Sequence, residues 1–342
     1  MNSHPTIEMS PTLPVRLLLS LYLGVACPAL AGVGTNEPGA ILVFPKVTST
    51  TTQETIIQIS NAAGSSVALR CFYIDASRPP DEPADLWAVK DFQVRLTRQQ
   101  PTVWVAGNGL PPLPPDRPAD LYAGPIPPVS TGFVGELMCV VVNNGESPVS
   151  RNVLTGEATV IDKDTHATRK YQAVGIQGLA GNDGNNTLRL DDVEYSSCPR
   201  ILILNHFFEG APDPVLNSPI HSRLTFVPCS TDLEGSLPGT ANLQFNVSNE
   251  FEQRFSASLA LTCFADVALS EISQIIFDFA KQGSLVGQTR IRPIVDAHTS
   301  HGHGALGIAE EFRDNGTVGS ALNLHFVDGA LQPDLIVLPS PF

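Results

Sequence analysis

From residue 40 onward the chain is written in short apolar segments, each alternating or β-branched and each closed by turn residues. AILVFPKV, ETIIQISNA, VALRCFYID, DFQVRLTR, TVWVAG, FVGELMCVVV, GEATVID and YQAVGIQG fill residues 40–178. RLTFVP, ANLQFNVSNE, ASLALTCFAD, QTRIRPI, ALGIAEEFRD, ALNLHFVD and PDLIVLP fill 222–339. Period-two patterning punctuated by Gly, Pro, Asn and Asp predicts strands. Helical periodicity is nearly absent. The best exception is LSEISQIIFDFAKQG (269–283), with room for two or three turns ending at Gly283. Strands of this kind must bury their apolar faces against another sheet, so the fold class is all-β.

One line is written twice. IQISN (57–61) matches FNVSN (245–249), and ALRCF (68–72) matches ALTCF (260–264); LVFP at 42–45 parallels LTFVP at 224–228. A period of about 190 residues means tandem units rather than a solenoid. The expected architecture is two tandem immunoglobulin-like β-sandwich domains related by internal duplication, over 40–178 and 201–340, with 179–200 between them. Alternation puts Val67, Leu69, Cys71 and Tyr73 on one face, and Leu259, Leu261, Cys263 and Ala265 on the matching one. Cys71 and Cys263 are thus expected to be equivalent, inward-facing residues of the same core strand.

A strand ending in Ser-Asn, a loop and a second strand resembles immunoglobulin-like modules of secreted bacterial proteins. The whole chain resembles a family of exported bacterial proteins with paired domains of this kind. The resemblance implies the fold and export, and carries over no activity and no functional residue. Between Leu110 and Pro128, LPPLPPDRPADLYAGPIPP interrupts the first domain. It reads as a stiff, polyproline-like surface excursion, with a docking segment as the other reading.

The N-terminus points to export. Starting at Met9, MSPTLPVRLLLSLYLGVACPALAGVG has one positive charge at Arg16, an apolar run from Leu17 to Ala26, and the small-x-small ending Ala29-Leu30-Ala31. Residues 1–31 therefore read as a secretory signal peptide, with Gly32 as the new N-terminus. Lipidation at Cys27 is the alternative, although Gly24-Val25-Ala26 lacks the Leu expected three positions before the anchor. No later apolar run is long enough to span a membrane, so the mature chain should be soluble, and secreted, periplasmic or on the cell surface. Twenty basic against 34 acidic residues give a net charge of −14. That balance argues against nucleic acid and anionic membranes as partners. It suits plain solubility or cation binding.

Five cysteines follow the signal: Cys71, Cys139, Cys198, Cys229 and Cys263. The odd count leaves at least one without an intramolecular partner, and no CxxC is present. Phe133, Leu137, Cys139 and Val141 share a face, so a Cys71–Cys139 bridge between two packed sheets is expected. Closing a loop of roughly 70 residues contributes about 3–4 kcal/mol in the chain-entropy model. The sequence leaves Cys198, Cys229 and Cys263 undecided.

Two constellations offer metal chemistry. In DAHTSHGHG, Asp296, His298, His301 and His303 fall within eight residues on a Gly-rich loop, a donor set for Zn, Cu or Ni. GNDGNNTLRLDD (181–192) resembles one turn of a calcium-binding repeat, with Asp183, Asn185 and Asp191 among its oxygen donors. The alternatives are a solvent-exposed polar loop and an Asn/Gly turn between domains. There is no GxSxG elbow, Walker A loop or dinucleotide fingerprint. Adjacent carboxylates such as Glu310-Glu311 point to opposite faces of a strand and make no acid/base dyad. Aromatics are too sparse for a carbohydrate platform, and Trp104 within TVWVA is expected in the core. The functional expectation is an exported, non-enzymatic structural or binding protein of the cell envelope, with no cofactor and with another envelope protein as a candidate partner. The alternative is a secreted protein dependent on Zn or Ca, such as a hydrolase, using loop 296–303 or turn 181–192.

Overall fold

Every residue of the first strand, β1 (Ile41–Ser49), is buried. A strand that faces solvent on one side alternates, so β1 must have protein on both sides. The computed structural model, which describes residues 32–77, 88–113, 122–294, 303–329 and 332–340, shows what lies there.

The first half contributes β1, β2 (Gln53–Asn61), β3 (Val67–Asp75), β4 (Ala88–Leu96), β5 (Pro101–Val105), β6 (Phe133–Val142), β7 (Leu154–Asp162), β8 (Thr168–Gln172) and β9 (Val174–Ile176). They form one nine-stranded sheet in the order β4-β3-β6-β1-β2-β7-β8, with β5 added on β2 and β9 on β1. β1 and β2 are paired in the ladder only at Ser49 and Glu54, so the sheet turns a corner there. The β4-β3-β6-β1 layer then lies over the β5-β2-β7-β8 layer. Between them is a core of Leu42, Phe44, Leu69, Tyr73, Leu137 and Val141 against Ile57, Ile59, Trp104, Ala158 and Val160. β2 shows the period of two this requires: Thr55, Ile57, Ile59 and Asn61 are buried and the residues between them are not.

The second half contributes β10 (Thr187–Leu190), β11 (Pro199–Phe207), β12 (His221–Pro228), β13 (Thr231–Asp232), β14 (Thr240–Asn249), β15 (Arg254–Thr262), β16 (Ala265–Ala268), α1 (Leu269–Ile272), α2 (Phe279–Gln282), β17 (Val286–Pro293), β18 (Ala305–Arg313), β19 (Val318–Asn323), β20 (His325–Gly329) and β21 (Asp334–Val337). A five-stranded sheet, β15-β14-β17-β11-β20, faces a four-stranded sheet, β16-β12-β18-β19. Leu202, Phe226, Leu243, Phe245, Phe277 and Ile291 fill the space between them. The segment 269–283 is two single helical turns rather than one helix of two or three. The second turn is capped by Asp278 at its start and by left-handed Gly283 at its end.

The two halves share a third core. Ile41, Val43, Met138, Val140, Val174 and Ile176 pack against Leu188, Leu190, Tyr195, Val227, Leu306 and Ile336. This is why Ile41–Phe44 of β1 and Leu137–Val142 of β6 are apolar at every position: each stretch lies between two cores. The 179–200 segment is part of this layer, since β10 pairs with β21 in a small sheet that β13 completes.

The repeated line does not recur as one structural element. β3 is hydrogen-bonded on both sides, to β4 and β6, and Cys71 is fully buried. β15 is an edge strand bonded only to β14. It ends at Thr262, and Cys263 lies beyond it with a left-handed φ of 62°. The chain then crosses to the opposite sheet as β16. Cys263 is therefore half-buried beside the central core and is not the counterpart of Cys71.

Cys71 and Cys139 are bridged, as expected, but by a different geometry. They stand directly opposite each other on neighbouring strands β3 and β6. The bridge joins two strands of one sheet rather than two packed sheets. A second bridge joins Cys198 and Cys229. Two disulfides point to an oxidising, extracytoplasmic environment. Among the described residues no helix is long and apolar enough to cross a membrane.

Candidate functional site

The oxygen donors of 181–192 are turned onto their own backbone. Asp183 accepts hydrogen bonds from the backbone and side-chain nitrogens of Asn185, at 3.0 and 2.6 Å. Asn185 in turn accepts from Thr187 N at 2.6 Å. Asp191 accepts from Val193 N and Glu194 N and pairs with Arg189. These are Asx turns, and they hold the loop that leads into and out of β10. Of the histidine loop, Asp296, His298 and His301 lie outside the described residues. His303 has Nδ1 3.0 Å from the carbonyl of Thr240. Trp104 is buried in the first core and donates its indole N–H to Tyr73 Oη at 2.6 Å.

The densest set of charges sits between the halves, and it starts from an irregularity in β1. Pro45 has no N–H for the ladder, and the pairing of β1 with β6 slips between Phe44 and Val47. The slip lets Val47 keep the first core's face and turns Lys46 toward the second half. Tyr171 accepts from Lys46 N and donates its hydroxyl to Lys46 O, which fixes the bulge. Lys46 Nζ then reaches Asp266 at 2.8 Å on β16 and Glu310 at 2.5 Å on β18. Glu310 also accepts from Arg169 Nε at 2.7 Å, and Arg169 lies 4.8 Å from the centre of the Phe312 ring. Lys46, Arg169 and Glu310 are each almost wholly buried. Burial alone would raise the pKa of Asp266, but the charges of Lys46 and Arg223 outweigh it and hold the carboxyl below its ordinary value. Each carboxylate here is matched by a cation, which makes the cluster a fastening between halves. Glu311 points the other way, to Arg313, as adjacent strand residues must.

His206 is a buried group that sequence reasoning passed over as one of several scattered histidines. Its Nδ1 lies 2.9 Å from the carbonyl of Phe207, so that nitrogen carries the proton. Nε2 accepts from Thr289 Oγ1 at 2.9 Å. Phe208 and Phe277 pack against the ring. Burial lowers its pKa to about 4, so the imidazole is neutral near pH 7. Both nitrogens are occupied by the fold, although His206 borders a cavity of about 580 Å³ between β11, β14 and β17.

Among the described residues one set of side chains has metal-ligand geometry. The sulfurs of Cys198 and Cys229 and a carboxylate oxygen of Asp334 lie within 4.8 Å of one another. The two sulfurs are joined in the bridge, and Asp334 accepts from Ser230 Oγ and Gly304 N.

The outer surface of the five-stranded sheet differs in chemistry from the chain as a whole. Alternation buries Leu243, Phe245 and Val247 of β14 and leaves Gln244, Asn246 and Ser248 facing out. On β17 it buries Thr289 and Ile291 and leaves Gln288, Arg290 and Arg292 outward. The register sets Gln244 beside Arg292, Asn246 beside Arg290, and Ser248 between Gln288 and Arg254. The three arginines thus share one surface, over a shallow depression of about 600 Å³. No outward position on β14, β15 or β17 holds Asp or Glu. Among the described residues the carboxylates nearest along the chain, Glu250 and Glu252, belong to the β14–β15 turn, and Glu250 is bonded to Ser284 and Leu285. Among the described residues none of the three guanidinium groups is ion-paired. The sequence signal for this surface was the alternation in QTRIRP and ANLQFNVSN; its convergence with Arg254 needed the register. No protein-family model matches the chain, and no curated protein matches it.

Proposed function

We propose that this chain is an exported, non-enzymatic binding protein of the cell envelope, and that its binding surface is the outward face of β15, β14 and β17. The observation that carries the reading is the convergence of Arg254, Arg290 and Arg292 on a polar face without carboxylates, in a protein of net charge −14. Cations left unpaired on an acidic protein form a local field of opposite sign, which steers an anionic partner to that face. The buried polar groups support a role other than catalysis: Lys46, Glu310, Arg169 and His206 are each committed to contacts that hold the fold. Two disulfides and the signal-like N-terminus support export. We also read each half as an immunoglobulin-like sandwich of common origin. The support is the two-layer plan of both halves and the IQISN/FNVSN match on β2 and β14, which each lie second from an edge of their layer. On this reading the different placement of β3 and β15 is divergence after the duplication.

Fractionation of a bacterial host expressing the full chain tests the functional reading. The wild type is expected in the extracytoplasmic fraction, retained on sedimented envelope. An Arg254→Ser/Arg290→Ser/Arg292→Ser variant is expected to be exported but released. Cytoplasmic recovery, or equal retention of both proteins, refutes it.

A further inference from the structure

We infer that the arginine-bearing face binds an acidic polysaccharide, a chain of sugars carrying carboxylate or sulfate groups; this rests on the reading of that face as the binding surface. The inference follows from what surrounds the charges. Arg290 and Arg292 are two residues apart on one strand, about 7 Å, and Arg254, two strands away and level with Gln288, lies about 12 Å from Arg290 and about 17 Å from Arg292. Three guanidinium groups at such spacings meet successive acid groups along a chain better than they enclose a single one. Each guanidinium offers paired donors that match a carboxylate or sulfate.

The groups between the arginines are amides and hydroxyls: Gln244, Asn246, Gln288, Ser248 and Ser256. These both donate and accept, as sugar hydroxyls require. Ala260 and Val286 are the only apolar outward residues on the three strands. A protein partner of the usual kind would need an apolar, aromatic-rich centre to its patch; β14, β15 and β17 offer none, and the half-buried Ile203 stands beyond Arg290 on β11. Bound nucleic acid would need a row of aromatic side chains to stack its bases; no outward position of the three strands is aromatic, and the exposed Phe251 stands alone in the β14–β15 turn. What the face does offer is charge, hydrogen bonds and a shallow trough about three strands wide, which suits a flat, hydroxylated, negatively charged chain.

Purified full-length protein, immobilised through a terminus, tests this against polygalacturonate, heparin, neutral dextran and poly-glutamate. The expected result is binding of one or both acidic polysaccharides and none of dextran, weakening steeply between about 50 and about 200 mM salt. The triple Arg→Ser variant should bind at least about tenfold more weakly. The triple Arg→Lys variant should fall between, because it keeps the charge and loses the fork. A Lys170→Ser variant on the other half serves as the control. Binding of polygalacturonate alone assigns a carboxylated ligand, and of heparin alone a sulfated one. Failure of both polysaccharides, equal weakening by Lys170→Ser, or tighter binding of poly-glutamate overturns the inference. If both polysaccharides fail while the triple Arg→Ser variant is still released from envelope, the ligand class is wrong and the binding face stands. If that variant is also retained, both are wrong.

Discussion

Replacing Glu310 by Gln should be among the most damaging single changes in the molecule. Glu310 has 1% of its side chain exposed and is the sole carboxylate bonded to Arg169, at 2.7 Å. It also takes one of the two contacts of Lys46, at 2.5 Å. The amide keeps the shape and loses the charge. Lys46 retains Asp266, but Arg169 is left as a buried cation with one of its nitrogens, Nη2, already without a partner. Removing one member of a buried ion pair costs about 3–5 kcal/mol, since the uncompensated charge stays in a medium that solvates it poorly. Whole-domain stabilities are only about 5–15 kcal/mol, so the loss is a large part of the total. Urea unfolding followed by tryptophan fluorescence measures it: the midpoint should drop with the slope unchanged. A second substitution, Arg169→Met, should restore part of the loss by removing the stranded cation. A cost below about 1 kcal/mol for Glu310→Gln, or further loss on adding Arg169→Met, would show that water already reaches the cluster and that it does not hold the halves together.

Other consequences are open to measurement. Burial raises the pKa of Glu136 to about 8. The folded state then holds this proton more tightly than the unfolded one, so stability is greatest below the ordinary Glu value and falls as pH rises toward 8, by on the order of 4 kcal/mol. Glu136→Gln should remove that decline, seen as a flat melting temperature on the alkaline side. His206 has the opposite sign: with a folded pKa of about 4, its contribution is present above the ordinary His value and is lost as pH falls toward 4. Its ring resonance should stay unchanged by NMR through the range where an exposed histidine titrates. Replacing Cys71 and Cys139 together by Ala opens a loop of 68 residues and should lower stability by about 2–5 kcal/mol in chemical denaturation. Trp104→Phe keeps the ring and strands the Tyr73 hydroxyl, at a cost of about 1–3 kcal/mol in the same assay.

What could be read in advance depended on how many faces of a strand meet solvent. β2, β14 and β17 each have one wet face, so their buried residues follow the alternation of the sequence. β1 and β6 have almost none, and a stretch that is apolar at every position reveals that it is buried without revealing by what. The central core was invisible for that reason: its other wall comes from β10, β12, β18 and β21, far along the chain. Lys46 was the readable trace of it. A lysine after a proline in an otherwise apolar strand must find a counter-charge or disrupt the core. Its partners Asp266 and Glu310 stand 220 and 264 residues away, and no local pattern identifies them. The doubled ALxCF line misled for the complementary reason. Five residues specify a strand with an apolar face, and they do so equally for a central strand and an edge strand, because pairing is decided by the neighbours. The arginine face combines both lessons. Its outward positions were legible strand by strand, whereas the field they make together exists only once Ser248 is set between Arg254 and Gln288. A binding surface built from three strands is a property of register, and register is what a single sequence states least directly.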